Sequence, residues 1–394
     1  MLPWPAQGFA MLDWKQLVHL SDAELASHDL AEINLACAVD LPGTHKVDVG
    51  LCRNRLDYWS GTVRRHTERC LPQYWRKRYA YRNSEAYFRT LNLITVLQRD
   101  LGIRYDPAKI PDDASFCPED TFVHGVIQTQ VGTCASLPVV YVAVGRRLGY
   151  PLTLVQTLGK AAGHFFARWD DPRGERFNIE ASNKGLSTPP DDYYRDGRYL
   201  STPELEKRCC TLKSLTPREE LGAFLKQRGD HWKVLGNYRK AVESFAWAHG
   251  VAPHNEGLKG CFGLTMNEWH AHLQSLEPPG FPAVNYFWPE RRRLPTWVSE
   301  NMEKDMLILE ATENLLKDPD FNRRWWDPLR KGVRPNPIPQ KVLVRFVDCG
   351  CTVTIDQVHT PVPTPTFGAN PCLIQVSAAG LRRIPSDSRQ GTRT

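Results

Sequence analysis

Residues 131–151, VGTCASLPVVYVAVGRRLGYP, constrain the fold more than any other stretch of this chain. Leu137, Tyr141, Val144 and Leu148 recur at spacings of 4, 3 and 4, one stripe of a helical period. Gly149 supplies a residue able to take positive φ after the last turn, and Pro151 forbids continuation. Pro138 fits a helix only near its first turn, where a missing N–H costs nothing. The spacing therefore predicts a buried helix starting close to Cys134, with Gly132-Thr133 as the turn leading in. A thiol at that end lies in the positive field of the helix, the setting in which cysteines act as nucleophiles.

The chain has 394 residues, enough for a large core and two or three domains. Its 50 basic and 44 acidic residues leave a charge of only +6, which argues against nucleic acid as a partner. The 11 cysteines include no C-x-x-C pair, so neither a zinc ribbon nor a thioredoxin-type site is expected. No histidine has a cysteine or carboxylate at metal-ligand spacing. His124 reads as structural, and His249 and His254 belong to a helical repeat, so no metal and no cofactor are expected. The first twenty residues lack a basic region followed by an apolar core, and the apolar run at 139–144 is too short to span a bilayer. The expectation is a cytoplasmic protein with no membrane partner.

In chain order, residues 1–20 read as an irregular surface arm. Ser21 to Glu24 form a capping-box pattern opening a helix that runs towards Cys37. Asn83-Ser84 begins another, with Tyr87, Leu91, Ile94 and Leu101 on one face and Gly102 ending it. Between them, Arg64, Arg65, Arg69, Arg76, Lys77, Arg78 and Arg82 interleave with Trp59, Tyr74, Trp75, Tyr79 and Tyr81. That mixture reads first as a solvated helix face with aromatics packed inward, and second as a phosphate-tracking surface. After the Cys134 helix the period changes to 2, giving strands at 152–158, 164–169 and 176–181. Thr202-Pro203 and Thr216-Pro217 are helix starts. Gly229, Trp232, Gly236, Tyr238, Ala241, Phe245, Ala248 and Pro253 then match one tetratricopeptide repeat, a helix hairpin of about 34 residues. Further on, 303–317 reads as a helix and 341–358 as a hairpin, with a linker-like break at 278–282. The expected class is α+β: a helical region 1–102, a core 103–200 of a helix on a small antiparallel sheet, a repeat-like segment 201–277, an extension 278–385 and a disordered tail 386–394.

A cysteine nucleophile needs a base, and the base needs a group to fix it. If Trp169 pairs with Glu175, the position opposite His164 is Glu180. His164 and Glu180 then share a face with Arg168, Arg176 and Asn178, while Phe165, Ala167, Trp169, Phe177, Ile179 and Ala181 take the other. Asn178 is an alternative orienting residue. The Cys134 backbone N–H is a candidate oxyanion donor, as is either Gln128 or Gln130.

Cys134 opening a helix, then His164 in GHFFAR, then Glu180 in FNIE, resembles the transglutaminase-like cysteine-hydrolase superfamily. Within it, residues 25–255 are most similar to bacterial SirB-type proteins, which carry a helical N-terminal region and C-terminal tetratricopeptide-like helices. The resemblance implies Cys134 as nucleophile, His164 as base and Glu180 as third member, acting on an amide or ester by hydrolysis or transamidation through a thioester; a protein or peptide is the candidate substrate. Glutamate at 180 departs from the aspartate usual in the superfamily. Many SirB-type relatives lack the cysteine, so the resemblance also admits a non-catalytic scaffold that binds a protein partner through the repeat.

Overall fold

The computed structural model describes residues 12–44, 47–111, 114–157, 163–196, 199, 201–277, 302–323, 327–331, 341–345, 352–358 and 364–367. The chain divides into two units, Met1–Lys259 and Gly260–Thr394. Among the described residues no helix is long and apolar enough to cross a membrane.

Three short helices open the first unit: α1 (Trp14–Leu17), α2 (Asp22–Ala26) and α3 (Leu30–Ala38). Two expectations are corrected here. Residues 12–20 are not a surface arm, since α1 buries Trp14 and Leu17. Ser21 and Glu24 form the expected capping box, but the helix they open stops at Ala26. The Asp29 carboxylate then accepts from Ala31 N at 2.8 Å and caps a new helix. An N-cap in mid-run ends one helix by starting another.

Helix α4 (Val49–Arg76) carries most of the basic and aromatic stretch, and it sorts that stretch by side. Trp59 and Tyr74 are buried, whereas Trp75 and Tyr79 are exposed. Inward packing therefore holds for only part of the set. Arg78 lies over the Tyr74 and Trp75 rings, and Arg64 donates to the Arg147 carbonyl. Ser84 caps α5 (Glu85–Thr95), which runs into a π-helical turn, Val96–Asp100, before Gly102 at φ +72°. Of the expected stripe Ile94 is buried, but Tyr87, Leu91 and Leu101 are only half-buried, and Phe88, Leu93, Val96 and Leu97 take their place in the core. A wider turn rotates the face that follows it, which a uniform helical period does not anticipate.

Strand β1 (Arg104–Tyr105) pairs in parallel with β2 (Val131–Gly132) around α6 (Pro118–Thr121) and α7 (Val123–Thr129). Helix α8 (Leu137–Arg147) follows, and every residue from Leu137 to Gly145 is buried. It packs against α3, α4, α5 and α7, and against strands β3 (Leu152–Thr157) and β4 (His164–Asp170). Tyr150 N donates to Gly145 O and Gly149 N to Arg146 O, both at 3.0 Å, with Gly149 at φ +77°. This is the Schellman ending expected from the glycine. The helix begins later than expected: Ser136 is its N-cap, and Cys134 sits in a turn of its own ahead of it.

Strands β3, β4 and β5 (Arg176–Ile179) form one antiparallel sheet in that order. A Cβ on Gly145 would meet Leu152 Cδ1 at 2.2 Å, so α8 lies close upon the face carrying Leu152. Helix α9 (Pro203–Cys209) leads to a hairpin of α10 (Pro217–Val234) and α11 (Tyr238–Val251). Both sequence-predicted caps hold, on Thr202 and as a capping box on Thr216 and Glu219. A Cβ on Gly229 would sit 2.7 Å from the Phe245 ring, so the two helices approach where glycine allows it.

Packing is tighter still at Gly125 in α7, where a Cβ would fall 1.8 Å from the Glu119 carbonyl oxygen. Backbone cannot yield as a flexible side chain does. Gly125→Ala should therefore lower stability by about 2 kcal/mol, read from urea unfolding. An unchanged midpoint would contradict so close an approach.

In the second unit, helix Met302–Lys317 corresponds to the one expected at 303–317. Trp269, on helix Glu256–Leu276, donates to Glu313 at 2.7 Å, and both helices bury apolar residues, among them Phe262, Met266, Leu309 and Leu315. The expected hairpin has described strands Lys341–Arg345 and Thr352–Val358, and a third strand, Thr364–Phe367, joins it. That strand lies at the edge of its sheet, a place that tolerates Pro365. The break at 278–282 and the tail at 386–394 lie outside the described residues.

Candidate active site

Thr133 and Ser136 fix the turn that carries Cys134. Both hydroxyls donate to the Asp120 carbonyl at 2.8 Å. Thr133 Oγ1 also accepts from Ala135 N, and Ser136 Oγ from Thr133 N, each at 3.1 Å. Leu137 N donates to Thr133 O at 3.0 Å, joining the turn to the first residue of α8. Short hydroxyl side chains that bond nearby backbone suit such a junction and not a helix interior.

His164 opens β4, directly after Gly163 at φ +72°. The register of β4 with β5 differs from the expected one: Trp169 faces Phe177, and Arg168 faces Asn178. The shift is two residues, so it conserves the face of every side chain. His164 and Glu180 are diagonal instead of directly opposed, and Nε2 lies 2.8 Å from Glu180 Oε2. Both side chains are buried. Asn178 is not an orienting residue for His164. Its amide donates to Asp191 and to Pro189 O, and its oxygen accepts from Arg168.

Two partners of Glu180 were not legible. Tyr194 OH donates to Oε2 at 2.9 Å, and Ser182 donates to Oε1 through its backbone N at 2.9 Å and its hydroxyl at 2.7 Å. Four contacts thus satisfy a carboxylate removed from water, as a buried charge demands. Burial works to raise its pKa, but the imidazole and the Ser182 donors prevail and hold it well below the usual range. The Tyr194 hydroxyl is pushed up by burial and by that carboxylate. Tyr194 also stacks on Phe166, with centroids 4.0 Å apart.

Since α8 lies on the Leu152 face, Cys134 meets His164 at the end of the sheet, beside Thr157 and Gly163, in a shared cleft of about 450 Å³. Burial favours neutral imidazole. The Glu180 carboxylate and hydrogen bonds to Cys134 and Glu180 outweigh it, and carry the His164 pKa up to about 9. Nε2 is committed to Glu180, which leaves Nδ1 for the thiol.

One wall of the cleft was unforeseen. Ala223, Lys226, Gln227, Asp230, His231 and Val234 of α10 line it. Lys226 pairs with Asp230 at 2.7 Å, and His231 Nε2 lies 2.9 Å from Thr121 Oγ1. Neither Gln128 nor Gln130 is among the lining residues; both are exposed at the end of α7. The glutamines that do line the cleft are Gln156 on β3 and Gln227 on α10. His124 is buried on α7, with neither ring nitrogen bonded among the described residues, and it does not line the cleft.

The fold also assembles a group that spacing along the chain could not reveal. Ligand atoms of Cys210, Glu219 and His254 all lie within 4.8 Å of one another.

Cys134 and His164 now line one cleft, with the Glu180 carboxylate buried behind the imidazole. Residues 52–222 match the family model described as the transglutaminase-like superfamily. Comparison with curated proteins and with solved structures gives no match. The matched stretch runs from α4 into the first turns of α10 and contains Cys134, His164 and Glu180.

Proposed function

We propose that the transglutaminase-like region is a cysteine acyl-transfer enzyme, with Cys134 as nucleophile, His164 as its base and Glu180 as the group that orients and charges the imidazole. The observation that carries this reading is the buried His164–Glu180 pair, with Cys134 hydrogen-bonded to the same imidazole. The thiol proton passes to His164 Nδ1, and Sγ attacks an amide or ester carbonyl. The Cys134 N–H, which donates to no acceptor among the described residues, is the donor at hand for the developing oxyanion; the Gln156 amide also lines the cleft but donates to the Cys209 carbonyl. The imidazolium returns its proton to the departing amine or alcohol and leaves a thioester on Cys134. Water or an amine then attacks the thioester while His164 removes its proton, and Sγ departs.

The finer likeness to SirB-type proteins belongs with this proposal, as does a tetratricopeptide-like identity for α10 and α11. Their support is the helix hairpin and the glycine approach at Gly229. A scaffold using the repeat to hold a protein partner is less favoured, because α10 spends one face on the cleft.

Alkylation separates these readings. With iodoacetamide at pH 6, Cys134 should be labelled at least about tenfold faster than the other cysteines, since an unassisted thiol with a pKa near 8.5 is then almost wholly protonated. Peptide mass mapping reads the site. Labelling no faster than at exposed Cys117 would remove the enzyme reading.

A further inference from the structure

We propose that Cys210, Glu219 and His254 form a zinc site that ties α10 and α11 to the segment following α9. A thiolate, a carboxylate and an imidazole are the donor set of a borderline-soft divalent ion with no geometric demand beyond four-coordination. Cys210 and Glu219 are buried, and His254 closes the group from the solvent side with a side chain 57% exposed. Zinc bonds of about 2.0–2.3 Å place neighbouring ligand atoms roughly 3.3–3.7 Å apart. His254 Nε2 now lies 2.5 Å from Glu219 Oε1, so the exposed ring retreats by about 1 Å on binding, and Cys210 Sγ lies within 4.8 Å of a ligand atom of each.

The supports of the group fit this role. Glu219 Oε2 accepts from Thr216 N at 2.8 Å in the capping box, which leaves Oε1 for the ion. Such outer hydrogen bonds hold a ligand in its binding orientation. Cys210 ends α9 in the left-handed region, at φ 54° and ψ 37°, a backbone cost that needs a reason in a residue with a side chain. One group competes: Lys213 Nζ lies 2.5 Å from Glu219 Oε1. Its side chain is 45% exposed, so it can leave for solvent. Binding forms bonds from zinc to Sγ, Oε1 and a ring nitrogen, releases the Cys210 thiol proton and frees the Lys213 ammonium. Water takes the fourth position on the open side.

Cobalt(II) is the probe, titrated into the reduced full-length chain. One equivalent should produce a near-ultraviolet sulfur-to-cobalt charge-transfer band, bleached by zinc. Cys210→Ser should abolish the band, and His254→Ala should weaken cobalt binding at least tenfold. Lys213→Ala should tighten binding, because the competing cation is gone; in a plain ion-pair cluster it would leave cobalt affinity unchanged. No band at one equivalent, or a band that survives Cys210→Ser, overturns the site. If circular dichroism shows that Cys210→Ser fails to fold, the solvent-facing His254→Ala decides, and undiminished cobalt affinity in it is equally fatal.

Discussion

Glu180→Gln should slow alkylation of Cys134 below pH 7 by about two orders of magnitude while leaving the protein folded. Glutamine has the length of glutamate, so its oxygen can still accept from Ser182 N and Oγ, the two donors that fix Oε1. Its NH2 then takes the place of Oε2 and points at His164 Nε2. A donor there forces Nε2 to accept, so the ring proton moves to Nδ1, where it faces Cys134 and blocks transfer from the thiol. Loss of the carboxylate also leaves burial as the dominant influence, and the imidazole falls from about 9 towards and below its ordinary value. The pH dependence of stability supplies a second readout. His164 is raised in the folded state, so its contribution is complete below about 6.5 and is lost as pH rises through about 9. Glu180 is lowered to about 2, so its contribution is complete above about 4.5 and is lost as pH falls through about 2. The native chain should therefore lose stability between about pH 6.5 and 9 through this pair, and the Glu180→Gln variant should lose much less over that interval. Urea unfolding at the two pH values measures the difference. A parallel decline in both proteins, with Cys134 labelling unchanged, would leave Glu180 without a role at the imidazole.

How far such a site can be read from sequence depends on which physical rule places each residue. Cys134 was legible because Gly149 and Pro151 end α8 and Pro138 pins its start, all through local backbone chemistry. The pairing of His164 with Glu180 was legible although the assumed register was off by two residues, because side chains alternate and an even shift preserves the face. Tyr194 and Ser182 were not, since a loop returning across the sheet has no period to read. Nearness in sequence to Cys134 does not bring Gln128 or Gln130 to the cleft, because both are exposed where α7 ends. The face expected to be merely polar is in fact covered. Arg168, Asn178 and Asp191 interlock there beneath the segment through Leu212, where alternation alone predicts only that Arg168 avoids the apolar side.

That covered face sets the largest expected effect on stability, a loss of about 3–5 kcal/mol on Arg168→Ala. Arg168 is fully buried and donates to Asn178 Oδ1 at 2.7 Å, Leu212 O at 3.0 Å and Asp191 Oδ1 at 2.7 Å. Burial, helped by the like charge of Arg176, depresses the guanidinium to about 10 against the pull of Asp191, but it remains charged at neutral pH. Truncation would strand a buried carbonyl and an amide oxygen, and would leave the Asp191 carboxylate with only Asn178 and Arg176. It would also empty the volume of the side chain. Arg168→Met separates these contributions: it fills most of the space and restores none of the donors, so it should recover only the cavity share, about 1–2 kcal/mol. The damage should reach the imidazole as well. Asp191 begins the short helical turn Asp191–Tyr194, whose last residue bonds Glu180. If that turn transmits the loss, Arg168→Ala and Tyr194→Phe share a consequence, and the double variant should be more stable than the sum of the two single losses predicts. Guanidinium unfolding of the four proteins completes the cycle. Strict additivity would mean that Arg168 holds the sheet face alone and that Tyr194 owes its position to its stack on Phe166.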